Sequence, residues 1–226
     1  MSAGLRTIAH PDPESLAADG AGRVLDVLAA AQRQRGTASV VLTGGSMGTA
    51  VLAAIAASPR RSEVDWSRVD VWWSDERFVA GDSPERNAVQ AAEAVGGGLA
   101  LNPDRVHPVG SADEFATAQD AAFDYRRELA AAADVASLFP GLPHVHEQDA
   151  TVVGVEGSPK PPPRRVSMTL PMINAAERVW FLVAGADKAE AVAAVRAGAP
   201  LERTPGAGVR GARETLLLVT EDALGG

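Results

Sequence analysis

The sequence predicts an α/β protein with a mostly parallel sheet and helices on both faces of that sheet. Short apolar runs rich in β-branched residues alternate with longer segments whose apolar residues recur at helical spacing. The short runs lack the polar alternation of a half-exposed strand, which is typical of strands buried on both faces. A chain of 226 residues can bury the core of one large α/β domain, and we expect a single domain over residues 1–226.

The clearest strand-to-helix unit lies at residues 39–55. Its apolar run ends at Gly44 and Gly45, and apolar residues then follow at helical spacing. A helix that begins at such a turn presents free backbone N–H groups, with the Ser46 hydroxyl beside them, and this favours an anion such as phosphate. The alternative is a tight turn that uses the glycines only for their backbone freedom. The spacing matches neither a dinucleotide fingerprint nor a P-loop.

The other elements follow the same alternation along the chain. We expect strands at residues 5–9, 69–73, 150–155, 179–183 and 216–219. We expect one helix from residue 12 to about 34 and another from residue 112 to about 133. Three more are expected: one that starts after a Ser83-Pro84-Glu85 cap, one near residue 171, and one that ends at about residue 196.

Polar residues follow the predicted strand at residues 69–73. Asp75 and Glu76 are suited to orienting sugar hydroxyls or holding a basic group, and Arg77 is suited to a phosphate. Ligands bind outside the carboxyl ends of strands in open α/β sheets, so we expect a binding site here. The alternative is a solvated loop with a local Glu–Arg pair. Asn87 lies in the first turn of the next predicted helix and by itself indicates little.

Charge and composition limit the classes of partner. The chain has 21 basic and 29 acidic residues, a net charge of −8, which argues against nucleic acid and anionic membrane surfaces. The absence of cysteine excludes disulfides, thiolate catalysis and cysteine-ligated zinc. There is no signal segment at the N-terminus and no apolar stretch long enough to span a bilayer. We therefore expect a soluble cytoplasmic protein.

The alternation of strands and helices fails after residue 130. A βα chain should place another buried strand there, but no run between Ala130 and Phe139 can form one. We expect that a segment of roughly ten to twenty residues, enough for a strand and a loop, is missing between Ala130 and Val135. It is either left out of the printed sequence or truly deleted.

Three of the four histidines bear on a catalytic or metal site. His107 lies between Val106 and Pro108 in a turn-rich stretch and is interpreted as structural. His144 and His146 have an i, i+2 spacing that places both on one side of an extended segment. They are interpreted as loop residues, with a base or a metal site as the alternative, for which no third ligand is evident. We expect no metal.

Several motifs in order along the chain resemble the 6-phosphogluconolactonase family. They are Thr43-Gly44-Gly45-Ser46, Trp73-Ser74-Asp75-Glu76-Arg77-Phe78-Val79 with Asn87 downstream, Ala136-Ser137-Leu138-Phe139-Pro140-Gly141, the segment from Ser158 to Pro171, and Gly185-Ala186-Asp187-Lys188-Ala189. Each match is weak alone, but the ordered series covers nearly the whole chain and is specific.

The resemblance implies a modified Rossmann-like fold that hydrolyses 6-phosphoglucono-δ-lactone to 6-phosphogluconate in the oxidative pentose phosphate pathway, without metal or cofactor. It implies a small phosphorylated sugar lactone as the partner. The substrate-binding residues that it implies are Gly44, Gly45 and Ser46 on one wall, Asp75, Glu76 and Arg77 opposite, and also Asn87, Ser137, Arg165 and Lys188. Which cation meets the phosphate is left open.

The family motif Gly-x-Gly-x-Asp-Gly-His, whose histidine is the expected general base, is absent from this sequence. The family places it just before the segment that matches Ala136–Gly141, where the alternation also fails. The catalytic residue is therefore unknown. Two alternatives stay open: a sugar-phosphate isomerase or deaminase of the same superfamily, against which the proline-rich segment at residues 160–165 counts, and a non-catalytic sugar-phosphate-binding protein.

Overall fold

The computed structural model describes residues 4–132, 149–159 and 161–225. The strands in this part of the chain are β1 (Leu5–His10), β2 (Ala38–Leu42), β3 (Val69–Trp73), β4 (Asp75–Arg77), β5 (Val106–His107), β6 (Val152–Val155), β7 (Arg165–Met168), β8 (Arg178–Val183) and β9 (Glu214–Thr220). The α-helices are α1 (Pro13–Arg35), α2 (Ser46–Ala57), α3 (Asn87–Val95), α4 (Ala118–Ala132), α5 (Leu170–Asn174) and α6 (Ala189–Arg196).

The strands form three sheets of three strands each. Two are parallel, with the orders β1-β9-β8 and β2-β3-β5, and the third is antiparallel, with the order β4-β7-β6. Strand β9 shows how helices cover both faces of a parallel sheet. Leu218 packs in the cluster that contains α1, while Leu217 packs on the other face with Val192 of α6. The predicted α/β class is confirmed.

Helix α1 shows why the sequence forms these elements where it does. Asp12 accepts a hydrogen bond from the backbone N–H of Ser15 at 2.7 Å, and Pro13 occupies the first helical position. Gly36 ends the helix with φ at 78°, a left-handed conformation that favours glycine. The predicted helix from residue 12 to about 34 is confirmed within a residue or two.

Helix α4 begins later than the sequence predicts. A helix from residue 112 was expected, but residues 112–117 form a turn before α4 starts at Ala118. The turn is stable because Glu114 accepts hydrogen bonds from the backbone N–H and the hydroxyl of Ser111, at 2.7 and 2.8 Å. Thr117 then caps α4 by accepting from the backbone N–H of Asp120 at 3.1 Å.

Tyr125 attaches α4 to the strand that leads into the polar residues. Its buried hydroxyl accepts from the backbone N–H of Trp73 at 2.8 Å and donates to the carbonyl of Trp73 at 3.1 Å. His107 stacks on the Trp72 ring with 3.9 Å between centroids, and its Nδ1 lies 2.8 Å from a carboxylate oxygen of Glu128. Polar and aromatic contacts thus fix the carboxyl end of β3.

The predicted missing segment falls mostly outside the described residues. Helix α4 is continuous through residue 132, and residues 133–148 are not described. Ser137, His144 and His146 lie in that undescribed stretch, so their predicted roles stay predictions. Among the residues that are described, no helix is long and apolar enough to cross a membrane.

Candidate active site

Four polar side chains share one face of the small antiparallel sheet. The register pairs Asp75 with Ser167 and Arg77 with Arg165. Because directly opposite residues lie on the same face and alternate residues return to it, these four side chains converge. The alternative of a solvated loop at residues 74–77 does not hold for Asp75–Arg77, which form strand β4 because β7 supplies a hydrogen-bonding partner.

Asp75 and Arg165 form a buried pair on this face. The guanidinium NH1 of Arg165 lies 3.6 Å from a carboxylate oxygen of Asp75, and both side chains are less than a tenth exposed. Burial raises the pKa of Asp75 to about 6, with the nearby carboxylate of Glu76 raising it further and Arg165 opposing the shift. Burial also lowers the pKa of Arg165.

Asn87 connects this face to the glycine turn. Its amide Nδ2 donates to the backbone carbonyl of Asp75 at 2.8 Å, and its Oδ1 accepts from NH1 of Arg77. The sequence alone indicates little about Asn87, but in the structure this residue is 3% exposed and joins Asp75 to Arg77. On its other side Asn87 lies against Gly44, where an added β-carbon would be 1.9 Å from Oδ1.

The turn itself presents the start of α2. Gly45 has φ at 98° and precedes Ser46, the first residue of the helix, and no side chain caps this end. Ser46 is exposed, so this residue lies at the surface at the start of the helix, where the first backbone N–H groups have no partner within the helix. A glycine turn that leads into an uncapped helix start is compatible with the predicted anion site at residues 44–46, which stays a prediction.

Glu76 is used differently from its two neighbours. Its fully buried carboxylate accepts from the backbone N–H groups of Asn87 at 2.7 Å, Ala88 at 2.9 Å and Arg77 at 2.8 Å. It therefore caps the N-terminus of α3, in place of the predicted Ser83 cap, and Arg86 Nε lies 3.5 Å away to balance its charge. Because side chains alternate along a strand, Glu76 lies on the opposite face of β4 from Asp75 and Arg77.

A pocket of about 250 Å³ opens beside Arg77. It is lined by Arg77, Pro84, Glu85, Gln90, Pro161 and Pro162. Arg77 donates to the carbonyl of Glu85 at 2.9 Å, while its buried Nε has no hydrogen-bond partner among the described residues. The guanidinium is thus held in place at the wall of this pocket.

The remaining predicted residues lie elsewhere. Lys188 pairs with Asp187 in a short 3₁₀ turn. This turn follows β8, which belongs to a different sheet from β4 and β7, the strands that carry Asp75 and Arg165. Ser137 is outside the described residues. Ser167, which the sequence reading missed, joins the face only through the β4–β7 register, and no local pattern predicts that pairing.

Neither described histidine reaches this face. His10 lies 3.1 Å from a carboxylate oxygen of Asp19, and His107 is stacked on Trp72. No cluster of three or more histidine, aspartate or glutamate side chains suited to a metal ion occurs in the described ranges. The described part of the site therefore offers cations, one carboxyl group of raised pKa and a helix N-terminus, but no imidazole.

This fold defines a Rossmann-like α/β protein with a candidate anion-binding site near the carboxyl ends of β2 and β3. Residues 11–218 match the family model described as glucosamine-6-phosphate isomerases/6-phosphogluconolactonase, and the chain belongs to that family. It is 44% identical to a 6-phosphogluconolactonase of Streptomyces coelicolor, covering 99% of this chain and 95% of the relative. It is 39% identical to a 6-phosphogluconolactonase of Mycobacterium tuberculosis, covering 94% of each.

Solved structures support the same fold. The 6-phosphogluconolactonase of Thermotoga maritima superposes with a TM-score of 0.83 at 23% identity, over 96% of this chain and 100% of that one. The enzyme of Trypanosoma brucei superposes with a TM-score of 0.82 at 20% identity, over 97% of each chain. At these identities the likeness concerns the fold alone.

The alignment with the Streptomyces coelicolor protein is longer than this chain. It extends over 247 positions, against 226 residues here, so at least 21 positions of the relative have no counterpart. A difference of this size is enough for a strand and a loop.

Proposed function

We propose that this chain hydrolyses 6-phosphoglucono-δ-lactone to 6-phosphogluconate, the lactonase step of the oxidative pentose phosphate pathway. The observation that carries the proposal is the 39–44% identity to proteins named 6-phosphogluconolactonase over nearly the whole chain. Those names also favour a lactonase over an isomerase or deaminase within the same family. The site geometry supplies what such a substrate needs, as follows.

The phosphate of the substrate needs a concentrated positive site on a chain whose net charge is −8. The N-terminus of α2 at Ser46 and the guanidinium of Arg77 provide one, since Asn87 holds Arg77 and packs against Gly44. Arg77 also lines the pocket of about 250 Å³. We assign the phosphate to this end of the site, which extends the prediction for residues 44–46 and Arg77.

The sugar hydroxyls need polar groups held in fixed positions. Asp75 and Ser167 lie opposite each other on the shared face, and Arg165 fixes Asp75 through the contact at 3.6 Å. A pKa of about 6 leaves Asp75 mostly ionised at neutral pH, when it accepts hydrogen bonds from hydroxyls. We assign Asp75 and Ser167 to substrate orientation. Lys188 is kept as a proposed substrate ligand from the neighbouring sheet.

The chemistry adds one water across the lactone bond. A base takes a proton from water as its oxygen attacks the carbonyl carbon, and the resulting tetrahedral centre collapses by breaking the bond to the ring oxygen. The ring oxygen leaves as the sugar hydroxyl after taking up a proton, and the carbonyl becomes a carboxylate. No redox step occurs, and the proposed route activates water with a base, without a metal or cofactor.

No residue is assigned as the base that takes the proton from water. His10 and His107 are engaged elsewhere, and His144 and His146 lie outside the described residues. The absence of the family's Gly-x-Asp-Gly-His motif favours a second candidate function, in which the chain binds sugar phosphates without hydrolysing the lactone. In both cases we propose a cytoplasmic protein, and its net charge of −8 argues against a nucleic acid partner.

Two measurements on the same preparation separate the candidates. The first is acid release from freshly prepared lactone, compared with spontaneous hydrolysis in the same buffer. The second is calorimetric titration with 6-phosphogluconate. Turnover above the spontaneous rate supports the lactonase, whereas binding without turnover assigns the second function. If the protein neither turns over the lactone nor binds 6-phosphogluconate, the proposed substrate site is wrong.

A further inference from the structure

The chain passes from one sheet to another at Ser74. Strand β3 ends at Trp73 in a parallel sheet, and β4 begins at Asp75 in the antiparallel sheet. The backbone N–H of Ser74 donates to the carbonyl of Leu42 in β2, and its carbonyl accepts from the backbone N–H of Met168 in β7, both at 2.9 Å. The position of Asp75 therefore depends on how firmly the chain is held at this connecting residue.

Tyr125 supplies hydrogen bonds beside β3 where the pairing of β3 with β5 ends. The register between these strands ends with the pair Trp72–His107, and Pro108, which has no backbone N–H, comes next. The Tyr125 hydroxyl accepts from the backbone N–H of Trp73 at 2.8 Å and donates to its carbonyl at 3.1 Å. One side chain thus holds both backbone groups of the last residue before the change of sheet.

The environment of Tyr125 makes this contact a lasting one. The residue is 2% exposed, and burial raises the pKa of its phenol, so the hydroxyl stays protonated and able to donate. Helix α4, which carries Tyr125, also packs closely on the antiparallel sheet. A β-carbon at Gly154 of β6 would lie 2.6 Å from the backbone nitrogen of Gln119 in this helix. Helix α4 therefore contacts both sheets, and Tyr125 joins it to the parallel one.

Asp75 is the site residue that depends most on this junction. The Ser74 hydroxyl lies 3.4 Å from its Oδ1, and NH1 of Arg165 lies 3.6 Å from its Oδ2. Both distances are near the limit of a polar contact, so a small backbone displacement would change them. Asp75 is 7% exposed, and the same displacement would let water reach its carboxylate.

We propose that Tyr125 is a positioning residue of the substrate site, whose hydroxyl holds the passage from β3 to β4 so that the Asp75 carboxylate meets the hydroxyls of the sugar. The phenol acts through the backbone of Trp73 and Ser74. Without it, the N–H and carbonyl of Trp73 lose this partner, the junction relaxes and the carboxylate gains water. The identity of the sugar ligand rests on the proposed function, whereas the effect of Tyr125 on Asp75 does not.

The first test removes the hydroxyl with Tyr125→Phe, which keeps the ring and most of the volume. NMR titration of ¹³C-labelled aspartate carboxyls should show the pKa of Asp75 falling from about 6 in the native protein to about 5, because water reaches it. The charged neighbours Glu76, Arg77 and Arg165 are the same in both proteins. Calorimetry should show binding of 6-phosphogluconate weakened about tenfold or more, the scale of one lost hydrogen bond.

Thr117→Ala is the matched control on the same helix. It removes the cap of α4, a hydrogen bond of 3.1 Å from the backbone N–H of Asp120, and should destabilise the protein to a similar extent. It should leave the pKa of Asp75 and the affinity for 6-phosphogluconate unchanged. A native pKa of Asp75 in Tyr125→Phe would overturn the proposal, as would equal changes in the two variants.

A measurement on the native fold applies even if Tyr125→Phe does not fold. Tyr125 is the only tyrosine of the chain, so 3-fluorotyrosine labels it alone. Its ¹⁹F resonance should shift with the titration of Asp75, and this shift should disappear in Asp75→Asn. A resonance without that transition would overturn the proposal. If the native protein does not bind 6-phosphogluconate, the proposed function fails, and the two NMR measurements still decide the role of Tyr125.

Discussion

An added β-carbon at Gly44 would lie 1.9 Å from the side-chain oxygen Oδ1 of Asn87. That oxygen also accepts a hydrogen bond from the guanidinium of Arg77. The turn before α2 and the face of β4 are therefore in direct contact through one amide side chain. Glycine is required at position 44 because the Asn87 side chain lies too close to leave room for a β-carbon.

This contact makes Gly44 the most sensitive position of the turn. Gly44→Ala should displace Asn87 and with it the guanidinium of Arg77, lowering the affinity for 6-phosphogluconate at least tenfold in calorimetric titration. Gly4→Ala is the matched control, because a β-carbon at Gly4 meets nothing within 4 Å. If both variants bind the ligand as the native protein does, the glycine turn is not part of the binding site.

Arg77 should contribute directly to anion binding. Arg77→Ala is expected to weaken binding of 6-phosphogluconate by about 1.5–3 kcal/mol, the range of a hydrogen bond to a charged group. Arg68→Ala, which removes an exposed arginine that pairs with Asp65 before the start of β3, should leave the affinity unchanged. An unchanged affinity in Arg77→Ala would exclude Arg77 from the phosphate site.

Glu76 should be important for stability and not for binding. Glu76→Gln puts an amide NH₂ where three backbone N–H groups now meet a carboxylate, so one donor faces another. We expect a loss of about 2–4 kcal/mol in the free energy of unfolding by urea. The exposed Glu93→Gln on the same helix should change it by less than about 0.5 kcal/mol. Full native stability in Glu76→Gln would contradict the capping role.

Asp75 should give the stability of the fold a distinctive dependence on pH. Its pKa is about 6 in the folded protein and 3.8 ordinarily, so between these values the folded state binds more protons than the unfolded state. The contribution of Asp75 therefore becomes more favourable as pH falls from 7 to 5, by about 1 kcal/mol.

The measurement is urea unfolding at both pH values for the native protein and for Asp75→Asn. The native protein should gain about 1 kcal/mol relative to Asp75→Asn as pH falls, because asparagine does not titrate. Asp104→Asn, at an exposed position, is the control for unspecific effects of pH. A constant difference between native protein and Asp75→Asn would show that Asp75 has an ordinary pKa.

Local sequence patterns predict much of this fold because they depend on neighbouring residues. The start of α1 near residue 12, its end near residue 34 and the turn at Gly44 and Gly45 each depend on a few neighbouring positions, and the structure has them as predicted. Buried apolar strands are also evident locally. The predicted start of α4 at residue 112 was wrong, because Glu114 forms a turn with Ser111 that competes with the helix.

The site was only partly predictable because its geometry depends on long-range pairing. Asp75 and Arg77 are evident at a strand end, but their common face follows from the pairing of β4 with β7, about ninety residues away. That pairing brings in Ser167 and leaves Glu76 on the other side. The burial of Asn87 likewise depends on Gly44, more than forty residues earlier.

The most direct test of the proposed function is the rate of acid release from fresh 6-phosphoglucono-δ-lactone with increasing amounts of the purified protein. We expect a rate above spontaneous hydrolysis that rises in proportion to protein concentration, saturates with lactone and falls in Arg77→Ala. A rate equal to spontaneous hydrolysis at every protein concentration, in a preparation that binds 6-phosphogluconate, would contradict the lactonase function.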